Sequence, residues 1–193
     1  MQLCVYCSSS NLISEHYAVA ARALGEGMAR RGWGLVYGGG SVGLMGAVAV
    51  SVQAHGGWVV GIIPQALLDR EVGFLEADEL IVTTTMRERK RLMDERADAI
   101  VTLPGGFGTL EELLEMLTLR QLTYHDKPIV IVNLGGFFDP LLAMFERIFD
   151  QRFTDERHRR LFTVVATVEE ALLLLDDFTP LAPPRDATAS EFA

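Results

Sequence analysis

Leu103-Pro104-Gly105-Gly106-Phe107-Gly108-Thr109-Leu110-Glu111-Glu112 joins an apolar run to a helical pattern through a turn of proline and glycine. The run before it, Ala99 to Leu103, reads as a buried strand. The pattern after it predicts a helix from Thr109 to about Tyr124. Gly105, Gly106 and Gly108 lack Cβ, so this backbone is free to turn its N–H groups outward. The first N–H groups of the helix point the same way, with the positive end of the helix dipole behind them. Such a turn suits an anion, a phosphate above all. The same residues also suit a tight turn with no ligand. Thr109 as N-cap with Glu112 at N3 spells a capping box, a purely structural motif. Both readings stand at this point.

The strand–turn–helix unit recurs on either side. Strands are predicted at Leu3–Cys7, Gly34–Tyr37, Trp58–Pro64, Leu80–Thr84, Lys127–Asn133 and Phe162–Ala166. Helices are predicted at Ser14–Arg31, from the 38–46 glycine run to about His55, at Met86–Ala97, Phe138–Asp150 and Val168–Asp176. Such alternation implies an α/β fold, a Rossmann-like, doubly wound parallel sheet in a single domain with helices on both faces. The domain is expected over 1–176. Residues 177–193, with Pro180, Pro183 and Pro184, are expected to form a disordered tail. In such a sheet the strand-to-helix turns share one edge, and ligands bind there near the switch in strand order.

Composition narrows the class. A chain of 193 residues with 49% apolar content suits one soluble domain with a sizeable core. No apolar run reaches membrane-spanning length, and the first residues carry no basic segment of a signal peptide, so a cytoplasmic protein is expected. The net charge of −9 argues against general binding to nucleic acid. Arg87, Arg89, Lys90, Arg91 and Arg96 nevertheless gather five of the 17 basic residues in ten positions, a local anion site in an acidic protein. On the Met86–Ala97 helix, Met86, Met93 and Ala97 form the apolar stripe, Arg89 and Lys90 flank it, and Arg87 and Arg91 point further out. A cation beside a buried face needs a partner; Asp94, Glu95 and Asp98 are the near candidates. Arg152 to Arg160, interleaved with acids, reads as a solvated face or loop.

Two other motifs give less. Cys4-x-x-Cys7 lies in or beside a strand, on opposite faces by parity, and reads as two buried thiols rather than a redox pair. Neither the cysteines nor the four histidines have zinc-ligand spacing. Gly38, Gly40 and Gly43 match G-x-G-x-x-G, but the match follows the second strand, and the next strand ends without the acidic residue that would hold a ribose. What remains is a helix N-terminus able to approach a ligand or a neighbouring backbone closely.

Gly38-Gly39-Gly40 with Gly43-Leu44-Met45-Gly46, Met86-x-Glu88-Arg89-Lys90, and Pro104-Gly105-Gly106-x-Gly108-Thr109-x-x-Glu112 together resemble the Lonely Guy family, from residue 3 to about 150. Its members are cytokinin-activating nucleoside 5′-monophosphate phosphoribohydrolases, often mislabelled lysine decarboxylases. The resemblance implies hydrolysis of the N-glycosidic bond of AMP or an N6-modified AMP, giving the free base and ribose 5-phosphate. It implies Arg89 and Glu112 as the catalytic pair. It implies substrate contacts at Glu71, Lys90, Gly106, Phe107, Gly108, Thr109, Leu110, Glu111 and Thr118, and we add Gly39, Gly40 and Gly105 from the glycine-rich turns. It further implies a homodimer with sites near the subunit interface. Arg87 stands where many members have His, and Leu119 where many have Trp, which bears on base preference.

The residue types suit the reaction. Glycosidic cleavage passes through an oxocarbenium-like cation, which a carboxylate near C1′ stabilises while orienting or deprotonating water. Arg89 would hold the phosphate or polarise the leaving base. No metal or redox cofactor is needed. Two rival readings are a non-catalytic nucleotide carrier and a general AMP or pyrimidine-nucleotide nucleosidase. A pyridoxal-phosphate decarboxylase would need a lysine placed for a Schiff base, and Lys90 and Lys127 are the only lysines.

Overall fold

Residues 1–69 and 73–178 are described by a computed structural model of the chain. Seven strands form one parallel sheet: β1 (Gln2–Tyr6), β2 (Gly34–Tyr37), β3 (Val59–Pro64), β4 (Glu79–Thr83), β5 (Ala99–Thr102), β6 (Ile129–Val132) and β7 (Thr163–Val165). Among the described residues, seven α-helices connect or follow them: α1 (Glu15–Arg30), α2 (Gly43–Ala54), α3 (Gln65–Leu68), α4 (Met86–Arg96), α5 (Phe107–Gln121), α6 (Asp139–Asp150) and α7 (Val168–Asp176). The central strands β1, β2, β3, β5 and β6 are buried almost throughout, which is why they read as continuous Val/Ile/Leu runs rather than alternating ones.

The sheet order is β4-β3-β2-β1-β5-β6-β7. The chain steps outward from β1 through β4, then returns to the other side of β1 and steps outward again. This is the doubly wound α/β architecture expected from the alternation, with its switch point between β1 and β5. The turns after those two strands meet there: Ser8 N–H donates to the Pro104 carbonyl at 3.2 Å.

Strand parity sorts the core into two layers. Leu3, Val5, Cys7, Leu35 and Tyr37 face α1, α2 and α7. Cys4, Tyr6, Val36, Ile62 and Ile100 face α4, α5 and α6. Cys4 and Cys7 are thus buried free thiols on opposite faces of the sheet.

Several boundaries differ from the sequence reading by a residue, but the helix of the central unit differs in kind. It begins at Phe107, with Gly106 in an extended conformation as N-cap (φ −89°, ψ −157°), and ends at Gln121. Thr123 at φ +63° takes the chain out of the helix. Thr109 is therefore N3, not the N-cap, and the Thr109–Glu112 capping box is not formed. Met86 also departs from the apolar stripe assigned to it: as the first residue of α4 it is 44% exposed. Arg152–Arg160 is in part ordered, as a 3₁₀ helix over Glu156–Leu161. Phe178 packs against the core next to α7; residues 179–193 of the expected tail lie outside the described residues.

Candidate functional site

Two helices of the same face bring the expected pair together. Helix α4 has few apolar residues, and of its first two turns only Arg89 is buried. Thr85 caps the helix by accepting from Glu88 N–H at 3.1 Å, while the Glu88 carboxylate accepts from Thr84 N–H at 2.9 Å, which fixes the first turn. Arg89 then points inward. Its Nε donates to the Ile62 carbonyl of β3, 3.1 Å away, and its Nη1 lies 3.2 Å from Glu112 Oε1 on α5. The near acids are engaged elsewhere: Asp94 holds Lys127, Glu95 holds Arg91, and Asp98 accepts from Gln2 N–H.

Glu112 is 8% exposed, one turn beyond the start of α5. Burial raises its pKa from the ordinary carboxylate value to about 7. Arg89 and, less strongly, Lys90 pull the other way, and Glu111 and Glu115 add to the rise. Cys4 and Tyr6, whose side chains are hydrogen-bonded to each other, lie close enough for their own ionisation to be disfavoured by Glu112. A carboxylate near half-ionisation at neutral pH is suited to accept a proton from water.

Lys90 joins the same two helices one position on. It pairs with Glu111 and, at 2.8 Å, with Glu115. Burial opposes its charge, but the two carboxylates outweigh that and hold its pKa above the ordinary lysine value.

The first turn of α5 supplies donors. Leu110 N–H is bonded to the Gly106 carbonyl at 3.1 Å, so the N–H groups of Phe107, Gly108 and Thr109 are the first-turn donors left without a helical acceptor. Gly106, Phe107 and Gly108 are exposed, and a Cβ at Gly106 or Gly108 would meet nothing within 4 Å. Thr109 is buried with its hydroxyl against Gly105, where a Cβ would come within 2.1 Å of Thr109 Oγ1. Leu110 is half-buried and Glu111 exposed. Beside this turn, at the switch point, lies a cavity of about 230 Å³ lined by Ser8, Ile13, Tyr17, Leu44, Gly105 and Phe137, among others.

The second glycine-rich helix start is used differently. Leu44 N–H donates to the Ser8 carbonyl at 2.8 Å and Gly43 N–H to Asn11 Oδ1 at 2.8 Å. The close approach to a neighbouring backbone that the sequence allowed is thus present. Gly39 and Gly40 are buried at the end of β2: the Gly39 carbonyl accepts from Phe74 N–H at 2.9 Å, and Gly40 forms an antiparallel bridge with Gly73. Thr118 lies further along α5, bonded to the Leu114 carbonyl, on an apolar groove of about 270 Å³ with Leu114, Phe145 and Phe153. It does not meet Arg89 and Glu112 within one chain. Glu71 lies outside the described residues. The sequence reading missed the Ile62 carbonyl, a backbone group that side-chain periodicity does not mark, and the Cys4–Tyr6 wall, for which strand parity, putting both on one face, was the signal.

A family model described as "Possible lysine decarboxylase" matches residues 45–175. The cytokinin riboside 5′-monophosphate phosphoribohydrolase of Mycobacterium tuberculosis (strain ATCC 25618 / H37Rv) is 47% identical over 168 residues, 87% of this chain and 89% of that protein. The enzyme of the same name from Oryza sativa subsp. japonica is 42% identical over 179 residues, 93% of this chain and 74% of that one. Among solved structures, the molybdenum cofactor carrier protein of Chlamydomonas reinhardtii superposes with a TM-score of 0.69 at 22% identity, over 91% of this chain and 95% of that one, a likeness of fold alone.

Proposed function

Because this chain belongs to the family of cytokinin riboside 5′-monophosphate phosphoribohydrolases, we infer that it hydrolyses the N-glycosidic bond of a nucleoside 5′-monophosphate, releasing the free base and ribose 5-phosphate. The finer reading is that the nucleotide is AMP or an N6-modified AMP and that Arg89 and Glu112 carry the chemistry. The observation behind it is the buried Arg89–Glu112 pair, one helical turn beyond the first-turn donors of α5.

In this reading the 5′-phosphate accepts from the N–H groups of Gly106 to Thr109, and the ribose extends along the helix toward Glu112. One turn, about 5.4 Å, is comparable with the reach from the phosphate to C1′. The C1′–N bond breaks with its electron pair passing to the base. Water adds its oxygen to C1′; Glu112 accepts one of its protons, and the base is released after taking up a proton. Glu112 also faces the positive charge that develops on the ribosyl ring. Arg89 has both resolved contacts directed at the Ile62 carbonyl and Glu112, which supports a role in orienting the carboxylate and keeping it partly ionised. Lys90 is paired with Glu111 next to Glu112, and Phe107 and Leu110 belong to the first turn of α5, so this reading gives all four substrate contacts.

Decarboxylation finds no support in the lysines: Lys90 and Lys127 are both ion-paired with carboxylates. A homodimer is part of the proposal, supported by the exposed Leu114, Leu122 and Tyr124 on and after α5 and by Thr118 lying on that apolar groove. A second copy there would bring Thr118 toward a site. A reducing, cytoplasmic setting suits two buried free thiols.

The test is chromatographic. Purified protein is incubated with isopentenyladenosine 5′-monophosphate and AMP in parallel, with Glu112→Gln as control. Free base and ribose 5-phosphate are expected from the native protein and not from the variant. Binding of either nucleotide without cleavage would sink the assignment.

A further inference from the structure

We propose that Gly38 is the positioning residue that seats the Arg89 guanidinium against Glu112. The proposal rests on the reading of Arg89 and Glu112 as the catalytic pair. Gly38 follows β2 directly and is buried. Its φ is not in the left-handed region, so the backbone alone does not require glycine there, in contrast to Gly39 at φ +77° and Gly43 at φ +63°. What requires glycine is space. A Cβ on Gly38 would stand 2.1 Å from Arg89 Nη2, 3.2 Å from Arg89 Cζ and 3.2 Å from Met45 Sδ.

An arginine end-group is normally free to swing away from such a contact. This one is held on two other sides, by the Ile62 carbonyl at Nε and by Glu112 at Nη1, and it is 6% exposed. Tyr37 pairs with Gly61 in the sheet, so Gly38, the residue just past β2, lies beside Ile62 of β3. The guanidinium thus rests against two neighbouring segments, β3 at Ile62 and the residue that follows β2. One contributes a carbonyl, the other the absence of a side chain. A methyl group at 38 forces Arg89 to give up Ile62, Glu112 or both. The glycine run therefore divides its work: Gly39 turns the backbone, Gly43 lets α2 approach the Ser8–Asn11 turn, and Gly38 makes room for a side chain.

The experiment is a double-mutant cycle of Gly38→Ala and Arg89→Ala, read by kcat/KM for base release, by its pH profile and by melting temperature. Displacing a catalytic group by about an ångström costs on the order of 10²-fold, and that is the loss expected for Gly38→Ala in the native background. The acid limb of the pH profile should move to higher pH, because Glu112 loses the cation that holds its pKa down. In the Arg89→Ala background the added methyl meets no guanidinium, so Gly38→Ala should cost less than twofold in rate and should not lower the melting temperature further. If Gly38→Ala alone fails to fold, folding of the double variant supports the proposal. Failure of both to fold, or equal losses in the two backgrounds, overturns it. If Arg89→Ala and Glu112→Gln both keep native turnover, the catalytic reading fails instead, and the melting cycle still decides whether Gly38 seats Arg89.

Discussion

Arg89 Nη1 stands 3.2 Å from Glu112 Oε1, with the two side chains only 7% and 9% exposed. An ion pair so far out of water strongly disfavours losing one partner, because the other is left charged and dry. The pair lies between two helices anchored on different strands, so each partner fixes the other. Replacing Glu112 by Gln keeps the shape and removes the proposed proton acceptor. The expected outcome is a fall in kcat of about 10²–10⁴-fold, with AMP binding retained by calorimetry.

The same burial predicts a pH dependence of stability in the unliganded protein. Glu112 has a folded pKa of about 7, above its ordinary value of 4.5. The folded state therefore holds the proton more tightly than the unfolded state. The stability this contributes is fully present below pH 4.5 and is lost as the pH rises through 7. Glu112→Gln mimics the protonated form, so its melting temperature relative to native protein should rise between pH 5 and 8. A constant difference across that range would contradict the assignment of the shift to Glu112.

Lys90 acts on Glu112 through charge. It lowers the Glu112 pKa and ties α4 to α5 through Glu111 and Glu115. Lys90→Met keeps much of the buried stem and removes the charge. The midpoint of the acid limb in the pH dependence of kcat/KM should then move upward, which a profile from pH 5 to 9 would reveal. An unmoved midpoint with a raised KM would mean that Lys90 serves the substrate alone.

Gly43→Ala tests the packing of α2 on the switch-point turn. A Cβ there meets Ser9 C at 2.6 Å and Ser10 N at 2.7 Å, at φ +63°. Neither contact is a flexible side-chain end. Overpacking typically costs about 1–3 kcal/mol, with the cost of a strained φ added. Urea unfolding should show a lower midpoint at unchanged slope.

Much of the fold was legible because each strand is a short Val/Ile/Leu run bounded by Gly, Pro or a polar turn, and because α7 carries an uninterrupted apolar stripe over Val168–Asp176. The start of α5 was not. Thr109-x-x-Glu112 is spelled like a capping box, yet glycine at 106 takes the N-cap and Gly108 lies inside the first turn, a place that helix propensity argues against. Arg89 and Glu112 were legible as a pair through their motifs. Their seat was not, since a carbonyl of β3 and a missing side chain after β2 leave no mark that periodicity can read.

The return of the chain from β4 to β5 gives the pair a place in the order of assembly. Arg89 belongs to the half of the sheet wound outward from β1, and Glu112 to the half that starts again on its other side. Neither half can form the pair by itself. Parallel strands brought together from distant parts of a chain dock slowly, so in refolding the competent enzyme should emerge only at the last docking step, after most of the helical signal has returned.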